Sequence, residues 1–374
     1  MPVAEFTVLA INPGSSSTKF AVYVDLKPEF VRNVRHSEEE MAPFRGRPVL
    51  DQKEFRLKIV GRELREAGYE PSQLHAVAGR GGLLPRLVSG TYRVNDTMLK
   101  DLREAKRGEH ASNLGAVLAD AIARPAGIQA YIVDPVSVDE RPDRARLSGS
   151  ALLPRPSLSH ALNTKAIAKR FAREQGVPYR QLRLIVAHLA SGICATAHEG
   201  GITIEYHDSR DEGAFGYERA GYLPTAGLVK LCFSGRYTQP EIENLIAREG
   251  GLYSYLGTTD LMKVEQRIAA GDAQARLVFE TMAYQIGQQI GAMAAVLKGR
   301  VDAVLLTGGM AYSERLVEEV RGYVDWIAPL HVYPGEDELL ALVESVLRVL
   351  RQEEPAIEYA GEWLGLSAAG GPAR

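Results

Sequence analysis

The sequence predicts a duplicated α/β fold of two domains, with a cleft between them. Three observations carry that expectation. At 374 residues the chain is longer than one hydrophobic core usually serves. Two stretches, AINPGSSSTKFAVY near the start and RLIVAHLASGICATAH in the middle, read as strand, small-residue turn, strand. LHAVAGRGG (Leu74 to Gly82) lies over VDAVLLTGG (Val301 to Gly309) without a gap, sharing Ala-Val and the closing Gly-Gly. Each half then runs hairpin, strand, helix, strand into glycines, helix, strand into an acid.

The elements follow in chain order. Glu5 to Ile11 is a short apolar run that reads as a buried strand, with Lys19 to Val24 as its hairpin partner. A charged stretch containing proline comes next, then helical spacing over roughly 50–68 (LDQKEFRLKIVGRELREAG). Leu74 to Gly82 is a strand running into glycines. Residues 96–124 read as helical, with GEHASNLG inside, and Tyr131 to Ser137 (YIVDPVS) as a strand ending at an acid and a proline. From Leu158 to about Gln175 the pattern is helical again.

The order then restarts. Arg183 to His198 gives strand, turn and strand, and ITIEYHDS a third strand. A helix spans roughly 276–298, Val301 to Gly309 is a strand, and a short strand ending in HVYPGEDE (His331 to Glu338) leads into a helix to about Leu350. The tail SAAGGPAR reads as flexible. Domains are expected over 1–155 plus roughly 340–374, and over 156–339.

Composition excludes several classes. Hydrophobic residues at 45% and charged residues at 24% are ordinary for a soluble protein. A net charge of -3 leaves no basic footprint for nucleic acid. Cys194 and Cys232 form neither a disulfide framework nor a zinc pattern, which favours a reducing compartment. The start MPVAEFTVLAINPG lacks a basic segment followed by a long apolar run, so no signal peptide is expected. No stretch reaches the apolar length of a membrane span. A cytoplasmic protein is the expectation.

The serine-rich turn raises the first chemical question. A Walker-type loop needs Gly-x-x-x-x-Gly-Lys-Ser/Thr feeding a helix, whereas Gly14-Ser-Ser-Ser-Thr-Lys19 feeds a strand. Such a turn either aims backbone N–H groups and hydroxyls at an anion, as nests do, or is a solvated hairpin of convenient small residues. In the first case Lys19 adds charge and Asn12 touches a metal-bound water. HLASG (His188 to Gly192) occupies the matching place in the second half and alone would be unremarkable. Two such turns at equivalent places would face each other across the cleft and hold the β and γ phosphates of one nucleotide.

Other segments are weaker signals. TGGMAYS (Thr307 to Ser313) allows the close backbone approach that a purine and its ribose require, and equally fits a plain strand-to-helix turn. GRGG (Gly79 to Gly82) lacks the third glycine of the dinucleotide fingerprint, which argues against a dehydrogenase, and offers Arg80 on a tight loop. Six of the eight histidines lie between His75 and His207, none at zinc-ligand spacing, so each defaults to a structural or surface role. Arg219 in FGYERAG and Asp134 in IVDP default to ion-pair or turn roles.

Taken together, INPGSSSTKF, GRGGLL, SGTYRVN, GEHASNLG, VDPVSVDE, LSHALNTKA, HLASGICATAHEGG and DSRDEGAFGYERAGYLP resemble the acetate kinase (acetokinase) family. The resemblance covers nearly the whole chain and extends to the superfamily of sugar kinases, actin and heat-shock chaperones. More narrowly it points to the short-chain fatty acid branch, the butyrate kinases, because of GEHASNLG together with HLASG, the latter standing where acetate kinases resemble HLGNG. It implies an actin-like, ribonuclease H-like domain pair and reversible phosphoryl transfer from ATP to butyrate with Mg²⁺, giving butyryl phosphate and ADP. Branched-chain acids, acetate or propionate are the alternative acceptors, and a non-catalytic ATP-binding scaffold is the alternative class. A homodimer or higher homo-oligomer is likewise implied, with neither nucleic acid nor membrane as partner.

Residue by residue, the resemblance makes Asn12 a magnesium contact, with Gly14, Ser15, Ser17 and Lys19 near phosphate. Arg80 and Arg219 match the family's two active-site arginines, and His110 and His160 the histidines beside the transferred group. Asp134 matches the catalytic acid of the first half. His188, Ala190, Ser191 and Gly192 match the second phosphate loop, and Gly308, Gly309, Met310 and Ser313 the adenosine loop. An acid of PGEDE, Glu336 or Asp337 with Glu338 next in line, matches the second metal contact. The chain departs from its relatives at PRLVSG (Pro85 to Gly90), where they carry Lys-Pro and a Gly-Gly pair, near the expected acyl tail. A carboxylate acceptor with a pKa of about 4.3 is already ionised at neutral pH, so Asp134 has no proton to remove and a positioning role suits it better.

Overall fold

The computed structural model describes residues 5–155 and 158–361, so the tail SAAGGPAR lies outside the described residues. Twelve strands are described: β1 (Thr7–Pro13), β2 (Ser17–Val24), β3 (Lys27–Arg35), β4 (Ala76–Arg80), β5 (Thr91–Arg93), β6 (Gln129–Val133), β7 (Leu184–Leu189), β8 (Ile193–Glu199), β9 (Ile202–Tyr206), β10 (Ala303–Gly308), β11 (Leu330–Pro334) and β12 (Ile357–Glu358). The chain forms two compact units, residues 1–140 with 337–374, and 141–336. Residues 141–155 join the second unit because Arg141 stacks on Tyr206 at 4.0 Å and Arg155 pairs with Glu205 and Glu212 at 3.1 and 2.6 Å.

The first unit holds a seven-stranded sheet in the order β12-β5-β6-β4-β1-β2-β3. β3, β2 and β1 are antiparallel neighbours, and β1, β4 and β6 run parallel. All of Val8, Leu9, Ala10 and Ile11 are buried, as expected of a strand covered on both faces. Leu9 and Ile11 share a core with Val60 of helix Lys53–Glu66 and Leu114 of helix Asn113–Ala123. Helix Glu338–Leu350 packs across β1, β4 and β6.

The second unit repeats the plan. Its sheet runs β11-β10-β7-β8-β9, with β7, β8 and β9 antiparallel and β7, β10 and β11 parallel. β4 and β10 hold the same position beside their hairpins, which is the overlay of LHAVAGRGG on VDAVLLTGG. Alternate residues of β7 face opposite ways. Ile185, Ala187 and Leu189 join the core of helix Ala273–Val296, while Leu184 and Val186 meet Phe171 of helix Ala161–Glu174.

Several elements differ from the sequence reading, among them the short strands β5 and β12, which it did not contain. The charged, proline-containing stretch after β2 is the edge strand β3, of which only Phe30 is buried. The helix expected over 96–124 is two helices, Asp96–Glu104 and Asn113–Ala123, because Ala105 and Gly108 take φ of +46° and +104°. Four further helices, Thr225–Cys232, Gln239–Ala247, Gly251–Leu256 and Leu261–Ala269, fill the segment before the long helix. Among the described residues no helix is long and apolar enough to cross a membrane.

Candidate active site

In the first unit the site residues gather at the carboxyl ends of parallel strands, where open α/β sheets place their ligands. Asn12 lies near the end of β1, opposite Lys19 of β2, and Arg80 closes β4. Glu338, first residue of its helix, completes the group. Its Oε2 accepts from Asn12 Nδ2 and, at 2.9 Å, from Arg80 Nη1, which also donates to Asn12 Oδ1 at 3.3 Å. The Glu338 and Arg80 side chains are 11% and 22% exposed, so the ion pair is shielded yet reachable.

The three acids of PGEDE have separate tasks. Glu338 joins Asn12 and Arg80. Asp337 caps the helix, its Oδ1 accepting from Leu340 N at 3.1 Å, while Glu336, the last residue of the second unit, lies 3.0 Å from His188 Nε2 of that same unit.

Backbone contact sets Arg80 in place. A Cβ on Gly115 would lie 2.0 Å from the Arg80 carbonyl oxygen, and one on Gly79 2.2 Å from the Gly115 oxygen. Only glycines let helix Asn113–Ala123 approach β4 this closely, which accounts for the last glycine of GEHASNLG. The same segment carries His110 on an exposed loop. Its Nδ1 accepts from the Ser112 N–H at 3.2 Å and lies 2.7 Å from the Ser112 hydroxyl.

Asp134 follows β6 with φ of +37°, a left-handed conformation that aspartate tolerates better than most side chains. It is buried, and its Oδ1 accepts from the Ser89 hydroxyl at 2.6 Å and the Gly90 N–H at 2.8 Å. The carboxylate thereby fixes the PRLVSG loop. Burial, and after it the charges of Asp134 and Glu140, push the Tyr92 phenol up.

The serine turn is shaped by a residue that sequence reasoning passed over. Arg56, on helix Lys53–Glu66, is fully buried and donates to the carbonyl oxygens of Gly14 (2.8 Å) and Ser17 (2.7 Å), and to Thr18 Oγ1 (2.9 Å). Burial brings its guanidinium down to about 10, still fully charged at neutral pH. Ser15 and Ser16 are exposed at the tip.

The second unit assembles its own cluster around the β7–β8 turn. His188, near the end of β7, is buried, lies 3.0 Å from Asn163 Oδ1 through Nδ1, and stacks on His160 with centroids 4.1 Å apart. Arg219 crosses over the turn, its N–H donating to the Ser191 carbonyl at 3.3 Å and its Nη1 to the Ser209 hydroxyl at 2.9 Å. A Cβ on Gly192 would lie 2.7 Å from Arg219 Nη1, so the glycine is what admits the arginine. Ala190 is buried beside it.

β10 lies next to β7 with Thr307 opposite His188, which brings TGGMAYS to the same edge. Gly308 has φ of +94°, and its Cβ would lie 2.3 Å from the Leu189 oxygen, so a side chain fits neither the conformation nor the space. Space beyond Gly309 is open, whereas Met310 is buried in the core and Ser313 caps helix Glu314–Val324 by accepting from Leu316 N at 2.9 Å. Within the first unit the structure thus gathers Asn12, Arg80 and Glu338, and within the second His160, His188, Glu336 and Arg219. Met310 sits apart as a packing residue.

Comparison with known proteins follows the same division of fold and chemistry. The family model described as "Acetokinase family" matches residues 157–325. The chain is 46% identical over 356 residues to "Butyrate kinase 2" of Clostridium acetobutylicum, covering 95% of this chain and 99% of that one. It is 47% identical over 355 residues to "Butyrate kinase 1" of the same organism, with the same coverage. Its structure is similar to that of Porphyromonas gingivalis acetate kinase, with a TM-score of 0.77 at 18% identity over 92% of this chain and all of that one.

Proposed function

The chain belongs to the acetokinase family, and from that premise we propose that it transfers the γ-phosphoryl group of ATP to butyrate, reversibly, giving butyryl phosphate and ADP. The observation that carries the proposal is the meeting of Asn12, Arg80 and Glu338 at the ends of β1 and β4. It combines a cation for a phosphoryl or carboxylate group with two oxygen donors.

An ionised acceptor needs no general base, and the main obstacle is bringing one anion to another. Phosphoryl transfer is catalysed chiefly by alignment and by stabilising charge on the moving group. Arg80 and Arg219 supply fixed, planar donors for that charge, and His110 and His160 supply hydrogen bonds beside it. Asp134, spent on Ser89 and Gly90, positions the loop next to the acceptor and does not move a proton. Gly14, Ser15, Ser17 and Lys19 in one unit, and Ser191 and Gly192 in the other, serve the nucleotide phosphates, while Gly308 and Gly309 lie against its adenosine.

Asn12 Oδ1 and Glu338 Oε2, which both accept from Arg80 Nη1, are oxygen donors of the kind Mg²⁺ takes alongside waters and phosphates. Bound there, Mg²⁺ would neutralise phosphate charge. Without it, Glu338 is held by Arg80 and Asn12.

The test is acyl phosphate formation, trapped with hydroxylamine, from two- to six-carbon acids with ATP and Mg²⁺. Each methylene buried is worth about 0.8 kcal/mol, so activity should grade about fourfold per carbon up to butyrate and fall beyond it. A maximum at acetate or propionate would reassign the acceptor. No acyl phosphate from any acid would refute the proposal.

A further inference from the structure

Arg56 presents an unusual combination: a fully buried guanidinium whose recorded acceptors are all neutral oxygens. Its Nε and Nη2 donate to Gln52 Oε1 at 3.0 and 2.8 Å, which fixes the plane of the group. Its Nη atoms then collect the carbonyls of Gly14, Ser15 and Ser17, at 2.8, 3.3 and 2.7 Å. The remaining carbonyl of the turn, that of Ser16, accepts from the His36 N–H at 2.9 Å. Every carbonyl from residue 14 to 17 is therefore drawn to a donor. Among the described residues the amides of Ser15 and Ser16 meet no acceptor, and both residues are exposed. Nor does Arg56 meet a carboxylate among the described residues, so its charge lies directly behind the turn with no protein counter-ion.

We infer that Arg56 is the positioning residue of the phosphate turn: it pulls the carbonyls inward, leaves the Ser15 and Ser16 amides to face an anion, and takes the bound phosphate as its counter-ion. Buried charges are ordinarily paired, and turned-out amides over a fixed cation form an anion nest. The inference rests on the reading that residues 14–17 hold nucleotide phosphate. Arg56 itself touches neither substrate.

The test uses the full-length enzyme. Arg56→Gln should weaken Mg²⁺·ADP binding by about tenfold or more, measured by calorimetry, and raise the KM for ATP alike, while the KM for the acid stays within about twofold. Arg56→Lys, which restores charge without the fork of donors, should fall between. A merely structural role would lower the melting temperature and leave the nucleotide affinity of the folded protein unchanged, and that result overturns the inference. Should Arg56→Gln not fold, hydrogen exchange of wild-type enzyme decides. Slowing at the Ser15 and Ser16 amides on adding Mg²⁺·ADP supports the inference, and unaltered exchange there overturns it. Binding of ADP is read without any acid, so failure here is distinct from failure of wild-type enzyme to form an acyl phosphate.

Discussion

Replacing Gly115 by alanine tests whether a backbone contact places Arg80. The new methyl would lie 2.0 Å from the Arg80 carbonyl oxygen and 2.8 Å from its amide nitrogen, where ordinary contact begins at 3.4 Å. Both are backbone atoms of a strand inside the sheet, so no rotamer change relieves the clash. Helix and strand must part by more than about 1 Å, as in an overpacked core, at about 1–3 kcal/mol. For a unit of this size each kcal/mol lowers the melting temperature by about 2–4 °C, so a fall of about 2–12 °C is expected. A misplacement of about 1 Å costs on the order of 10²-fold in turnover. Scanning calorimetry and the hydroxylamine assay read the two effects. Gly61→Ala is the control, since its Cβ meets only the flexible Arg65 Nη1 at 3.4 Å. That variant should be neutral or more stable by up to about 1 kcal/mol. If Gly115→Ala melts and turns over like Gly61→Ala, the contact does not position Arg80.

Two further outcomes are expected. Arg80→Ala and Arg219→Ala should each lose at least ~10² in turnover, and near-normal turnover in either folded variant removes that residue from the site. The neighbours His207 and Asp208 should oppose each other in acid. Burial holds the His207 imidazole at about 4 rather than 6.5, so its contribution is present above pH 6.5 and lost as pH falls to 4. Burial raises the Asp208 carboxyl from 3.8 to about 6, so stability is gained as pH falls through that window. Each effect is about 3 kcal/mol, so the pair nearly cancels. Asp208→Asn should therefore steepen the acid loss of stability between pH 6.5 and 4, and His207→Gln reverse its sign, as read by denaturant midpoints; parallel curves for all three proteins would refute this.

Legibility in the sequence followed burial pattern. β1 and β7 are apolar runs covered on both faces, and their small-residue turns announce hairpins, so the duplication could be read directly. β3 could not, because an edge strand with one buried residue in nine carries no alternation. The four helices before Ala273 were passed over; Thr225–Cys232, for example, buries none of its residues. Glu338 was hard to separate from Glu336 and Asp337 because consecutive residues at a helix start diverge in direction, and only the cap at Asp337 decides which acid turns toward Asn12. Arg56 in KEFRLK reads as a solvated helix position. Apart from Gln52, one turn before it, its partners lie about forty residues earlier, and nothing local marks them.

The route of the chain has a consequence for synthesis. After β6 the polypeptide builds the whole second unit and only then returns, at Asp337, to supply helix Glu338–Leu350 and with it Leu342, Val343 and Val346 against the first sheet. Asn12 and Glu338, hydrogen-bonded in the finished protein, leave the ribosome 326 residues apart. At about 5–20 residues per second, the first sheet waits on the order of 10–40 s with one apolar face uncovered. A nascent chain thus needs shielding from aggregation throughout that interval, and a message truncated before Glu338 yields a product lacking both cover and acid.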